Sequence, residues 1–142
     1  MGLARALKSV ALRSPQRITV QATNRRFAPE IEAAFYYCCL EAVQNSLKHA
    51  GPEANTTIKV FTDGREVTLE VRDSGKGFDP NVPHAGMGLQ SMQDRLGAVG
   101  GHIEVASQPG RGTVITARAP VGAGQQPGAM SSTSPTPAAT PS

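Results

Sequence analysis

At 142 residues the chain has the length of one ordinary domain, enough to bury a core without disulfides or a metal. Its 39% apolar content is that of a globular protein, and no apolar run reaches the length of a membrane span, which excludes a fibre and a membrane-spanning helix. The formal charge of +3 is lopsided: six basic side chains and no acid lie in residues 1–26, leaving eight basic against eleven acidic residues from Phe27 onward. With few aromatics in the basic segment to stack bases, that distribution argues against nucleic-acid binding.

Gly2 to Arg13 sets Leu3, Leu7 and Val10 with Ala11 on one face at helical spacing, which predicts a short amphipathic helix. This start lacks the long apolar core of a secretion signal, and Ala6 stands where a myristoylation pattern needs Ser or Thr. After Ser14 and Pro15, Arg17–Ala22 alternates as a strand does. Pro29 opens a long helix to Ala50, with Glu30 and Glu32 near its amino end and Lys48 and His49 near its carboxyl end. Cys38 and Cys39 are adjacent within it, where successive side chains diverge; they read as reduced, buried residues, which suits the cytoplasm.

Thr56–Thr62 and Glu66–Asp73 alternate as strands, joined by Asp63 and Gly64, the dipeptide of a two-residue hairpin turn. Asp79–Ala85 reads as a polar loop, and a helix starts near Gly88 and stops at the glycines around Gly100 and Gly101. His102–Ser107 and Thr113–Ala119 form a second strand pair about the turn Gln108–Gly112. Ala119–Ser142 carries no charge and five of the 11 prolines, and reads as a disordered tail.

On the long helix Glu41 and Asn45 are four apart, with Lys48 and His49 three and four further on, so the four share a polar stripe; Tyr36, Cys39 or Leu40, Val43, Leu47 and Ala50 form the other face. Each polar residue alone is also what a solvated helix face shows. Asn45, a poor helix former in mid-helix, stands apart from that reading. An amide oxygen beside a carboxylate suits a magnesium ion held mainly by phosphates, and Lys48 would be a phosphate point charge. Gly86 to Leu89, "GMGL", precedes a helix and lets backbone amides approach an anion.

The order "EAVQNSLKHA", "DSGKGF", "GMGLQSMQDRLGAVGG", "GRGTVITARAP" resembles the N, G1, G2 and G3 boxes of the GHKL ATPase superfamily, as found in sensor histidine kinase catalytic domains. It looks nearest to the nitrate-sensor and membrane-fluidity-sensor branch, over about Gly2 to Pro120. The resemblance implies an α+β class, the Bergerat fold: a two-layer α/β sandwich whose mixed, mostly antiparallel sheet packs on about three helices, with ATP between the N-box helix and a lid. It implies residues 1–15 as the remnant of a dimerisation helix, 16–120 as the catalytic domain and 121–142 as the tail.

By that analogy Asn45 ligates Mg2+, Glu41 polarises a water or the metal shell, and Lys48 and His49 lie close to phosphate. Asp73 accepts the adenine amino group, Gly75 and Gly77 shape the pocket floor, and Thr113 supports the adenine end through water. Asp79–Ala85 forms the lid, while Gly86, Gly88 and the adjoining Leu89 bring the start of the next helix to the phosphates. The chemistry agrees: an acceptor-only carboxylate distinguishes adenine, which presents an amino donor, from guanine, which presents a carbonyl there. Phosphoryl transfer needs positioning and charge neutralisation more than a covalent enzyme group, and a closed lid keeps water from the γ-phosphate.

A complete kinase of that branch also carries a phosphoacceptor histidine upstream of the N box. Here 40 residues precede Glu41 and none is histidine; His49, His84 and His102 stand in the N box, the lid and a strand start. The expected partners are therefore a dimerisation and phosphoacceptor domain, in trans or in a longer parent chain, and a response regulator, with no membrane contact by this chain. An anti-sigma-factor-type serine kinase and a non-catalytic ATP-binding module are the alternatives.

Overall fold

The computed structural model describes residues 2–50, 53–77 and 88–122. In chain order these form α1 (Leu3–Arg13), β1 (Arg17–Ala22), α2 (Pro29–His49), β2 (Asn55–Thr62), β3 (Glu66–Asp73), α3 (Leu89–Gly97), β4 (His102–Ser107) and β5 (Thr113–Pro120). The expected α+β architecture is present: one five-stranded sheet in the order β1-β2-β3-β5-β4, packed with three helices. β1 runs parallel to β2, which requires the crossover that α2 supplies, and the remaining neighbours are antiparallel.

Burial alternates along β1, β4 and β5, so one face of the sheet is covered and the other meets solvent. The covered face meets α2, whose stripe Ile31, Phe35, Cys38, Ala42 repeats at helical spacing and is fully or almost fully buried. Proline in its first turn, acids Glu30 and Glu32 at that end and Lys48 with His49 at the other suit the helix dipole. The helix α1 joins the same core through Leu3, Leu7 and Val10. Cys38 and Cys39 are buried free thiols whose pKa is pushed up to about 12, mainly by burial, as core residues rather than redox groups would be.

The polar stripe on α2 varies in depth along its length: Asn45 is 5% exposed, while Glu41 is half-buried and Lys48 and His49 are exposed. On the other face, Cys39 and Val43 are buried, and Tyr36, Leu40, Leu47 and Ala50 are half-covered. The sheet-facing stripe runs one residue aside from that face and carries Asn45 inward at its end.

The β2–β3 connection is a two-residue turn set one position later than the Asp63–Gly64 dipeptide suggested: Thr62 pairs with Val67, the Asp63 N–H donates to the Glu66 carbonyl at 3.4 Å, and Gly64 and Arg65 make the turn. The Asp63 carboxylate adds hydrogen bonds from the Arg65 and Glu66 N–H groups, both at 2.9 Å. The lid Asp79–Ala85, with His84, lies outside the described residues, as do Gly86 and the tail beyond Gly122. Among the described residues no helix is long and apolar enough to cross a membrane.

Candidate functional site

A narrow cavity lies between the carboxyl end of α2 and the ends of β3 and β5. Its lining includes Asn45, Ser46, His49 and Ala50 from α2 and its end, Asp73, Gly77, and Thr113 with Ile115 from β5. Residues far apart in sequence meet there because β3, β5 and the end of α2 finish at the same edge of the core. The enclosed space is about 10 Å3, room for about one water.

Asp73 ends β3, with Thr56 on one side and Thr113 on the other. Its Oδ1 accepts a hydrogen bond from the Gly75 N–H at 2.9 Å, which fixes the carboxylate at the start of the following segment. Ser74 ties that segment back to β2: its Oγ accepts from the Asn55 N–H at 2.9 Å, and its own N–H donates to the Asn55 carbonyl. Gly75 lies so close to the end of α2 that a Cβ would collide with the Ala50 methyl. Gly77, at φ +64°, has the Gln108 and Gly112 carbonyls where a side chain would go.

The last turns of α2 are anchored by a ring of buried polar groups. Gln16 Nε2 donates to Ser46 Oγ at 3.0 Å, Ser46 Oγ lies 3.3 Å from Thr56 Oγ1, and Thr56 Oγ1 donates to Gln16 Oε1 at 3.0 Å. This ring joins the start of β1, the helix and β2 immediately beside Asn45.

Glu41 faces a second cluster. Tyr37 Oη donates to its Oε1 at 3.1 Å, and the Arg95 guanidinium of α3 sits 4.0 Å above the Tyr37 ring. Gly88 caps α3 at φ +69°, close enough to Glu41 that a Cβ would stand 2.9 Å from Oε1. The carboxylate thus sits at the amino end of α3, where negative charge is favoured.

Of the expected site residues, Asn45, His49, Asp73, Gly77 and Thr113 share the cavity, with Gly75 packed at its wall. Glu41 and Gly88 meet each other. Lys48 is exposed and outside the lining, and Leu89 packs half-buried against the core. Gly86 lies outside the described residues. Sequence reasoning missed Gln16, Thr56, Ser107 and the Tyr37–Arg95 pair, for which no local spacing gives a signal. Gly112 was detectable as the second glycine of "GRGT"; it takes φ +76° and packs directly on the Asp73 carbonyl.

Residues 30–123 match the sequence profile of the family described as histidine kinase-, DNA gyrase B-, and HSP90-like ATPase. The chain belongs to that family. Its fold resembles those of three solved histidine kinase structures. Against the histidine kinase domain of the blue-light activated histidine kinase from Erythrobacter litoralis EL346, the TM-score is 0.65 at 20% identity, covering 83% of this chain and 57% of that one. Against the catalytic domain of the histidine kinase ThkA it is 0.64 at 15% identity, covering 84% and 87%. Against the mycobacterial sensor histidine kinase MprB it is 0.63 at 21% identity, covering 83% and 92%. This ATPase-family chain therefore spans little more than half of the Erythrobacter domain and most of the other two.

Among the described residues of the ATPase domain, no three His, Cys, Asp or Glu side chains gather to hold a metal ion. What α2 offers instead is the Glu41 carboxylate and the Asn45 amide oxygen one turn apart, a sparse set of hard donors. That set fits magnesium held chiefly by a ligand's phosphates and does not fit a self-sufficient protein cage.

Proposed function

We propose that this chain is the ATP-binding catalytic domain of a two-component sensor histidine kinase, of the nitrate-sensor and membrane-fluidity-sensor type. It presents Mg-ATP to a histidine on a dimerisation domain, from which a response regulator takes the phosphoryl group. The observation that carries the reading is the convergence of Asp73, Asn45, His49, Gly77 and Thr113 on one cavity, from three separate stretches of chain.

In this reading Asp73 receives the adenine amino group as an acceptor-only carboxylate, already oriented by the Gly75 N–H. Gly75 and Gly77 leave the floor without side chains, so that the base lies against backbone, and Thr113 supports the same end. Asn45 and Glu41 would hold magnesium, which neutralises phosphate charge during transfer. Lys48 and His49 reach out from the exposed end of α2 toward the phosphates, and the amides at the start of α3, by Gly88, face the same anion. Leu89 opens α3 beside those amides, and the lid expected at Asp79–Ala85, with Gly86, lies outside the described residues. The reading places the domain in the cytoplasm, where the two thiols stay reduced.

Phosphoryl transfer is the direct test. The chain is mixed with labelled ATP, magnesium and candidate dimerisation domains, and the partner is examined for acid-labile, base-stable phosphate. That product is expected. Alkali-labile phosphoserine would instead identify a serine kinase, and binding of ATP with no transfer to any acceptor would leave a regulatory module.

A further inference from the structure

Three polar side chains stand in a row across three strands at the closed end of the cavity. The register pairs Asp73 of β3 with Thr113 of β5, and Thr113 with Ser107 of β4. Direct cross-strand partners share a face of the sheet, so the three side chains lie side by side. Asp73 and Thr113 line the cavity, whereas Ser107 stands behind Thr113. Ser107 and Thr113 are both buried, at 7% and 8% exposure.

The distances fix the direction of two protons. Ser107 Oγ lies 3.0 Å from the Gly112 carbonyl oxygen and 2.8 Å from Thr113 Oγ1. A carbonyl only accepts, and a serine hydroxyl has one proton to give. Were that proton directed at Thr113, two lone-pair-bearing oxygens would face each other at 3.0 Å in a buried site. Ser107 therefore donates to Gly112, and Thr113 donates to Ser107. Toward the cavity, Thr113 Oγ1 then presents lone pairs alone. The Gly112 carbonyl is held in place by a residue no side chain can replace, since at φ +76° a Cβ would run into the Asp73 backbone carbonyl.

We propose that Ser107 is a positioning residue that sets base specificity: acting through Thr113, it makes the base-reading end of the cavity a wall of acceptors. The inference rests on the ATP reading above and deepens it. Asp73 supplies one acceptor and Thr113 the next, one strand away, so a purine bearing a 6-amino group finds acceptors for both of its hydrogens, directly or through one water. A purine bearing a 6-carbonyl brings a third acceptor against them. With Ser107 absent, the Thr113 hydroxyl is free to turn and donate into the cavity, and the distinction weakens.

The test compares ADP with IDP, which carry amino and carbonyl groups at position 6, by calorimetric titration of the full chain. Wild type is expected to prefer ADP. Ser107→Ala, with folding checked by thermal unfolding, is expected to lower the ADP-to-IDP affinity ratio by about three- to tenfold, the size of one hydrogen bond. Ser107→Thr, which keeps the hydroxyl, is expected to hold the wild-type ratio. An unchanged ratio in folded Ser107→Ala overturns the proposal.

Asp73→Asn gives an arm that leaves Ser107 untouched. Its amide can turn a donor to the base, yet Thr113 still opposes a 6-carbonyl, so this variant is expected to lose ADP without gaining IDP. A gain in IDP affinity of about tenfold would show that Thr113 donates freely and overturns the proposal. A wild type that binds neither nucleotide, or binds ADP as well after Asp73→Asn, instead removes the ATP reading beneath it.

Discussion

Thr56→Val tests the ring that anchors the carboxyl end of α2. Gln16, Ser46 and Thr56 are 3%, 3% and 1% exposed, so no solvent replaces a lost partner. The donors run one way around the ring: Gln16 Nε2 to Ser46, Ser46 to Thr56, and Thr56 to Gln16 Oε1. Valine keeps the shape of threonine and removes one hydroxyl, which leaves the Ser46 proton and the Gln16 carbonyl facing a methyl group. At about 1–3 kcal/mol for each of the two polar groups that lose this bond, offset by about 1 kcal/mol for the methyl gained, the loss is about 1–5 kcal/mol. Urea unfolding is the assay, with the midpoint falling and the slope unchanged. Ser46→Ala breaks the same ring, so the double variant should lose less than the sum of the two. A loss below about 0.5 kcal/mol, within the range of ordinary surface changes, would refute the ring as an anchor.

Gly75→Ala places a methyl against both the methyl and the Cα of Ala50 and is expected to destabilise the domain by about 1–3 kcal/mol and weaken nucleotide binding; Ala50→Gly in the same chain removes only the methyl and should recover part of each loss, since the Cα would still stand 2.7 Å away, and a Gly75→Ala protein undiminished in stability and binding would count against close approach of the two segments. Cys38 and Cys39, with their thiols pushed up to about 12, should resist alkylation in the folded protein at about pH 8 and react only on unfolding, as mass spectrometry would show. Glu32 should make stability depend on pH. Burial works to raise its pKa, but the hydrogen bonds from Arg26 and the Phe27 N–H outweigh burial and hold the carboxyl below its usual range. A depressed folded pKa stabilises above the unfolded value and is lost as pH falls through the folded one. The stability advantage of wild type over Glu32→Gln should therefore be present at neutral pH and disappear on acidification, and a pH-independent difference would contradict this.

The strands and helices were legible because periodicity reports burial of one face, and most boundaries fall within a residue or two of the pattern. The depth of each α2 residue was not, since spacing along one helix does not tell how far each member of a polar stripe is covered: Asn45 is buried, while Lys48 and His49 are exposed. The burial of Asn45 is a local conflict of the kind functional sites carry. The β2–β3 turn was legible as a two-residue turn but one position early: Asp63 pairs with Glu66, and Gly64 and Arg65 make the turn. Asp73, Gly77 and Thr113 were readable as motif members. The groups that hold them were not: Gln16 meets Ser46 and Thr56 from 30 and 40 residues away, and Ser107 reaches Thr113 only through strand register.

The central claim, that the cavity at Asp73 reads the adenine of ATP, is tested most directly by titrating Mg-ATP into wild type and Asp73→Asn with folding monitored in parallel. Replacing a carboxylate acceptor that faces an amino donor is expected to weaken binding by about tenfold or more while the domain stays folded. Equal affinity in the two proteins would contradict the claim.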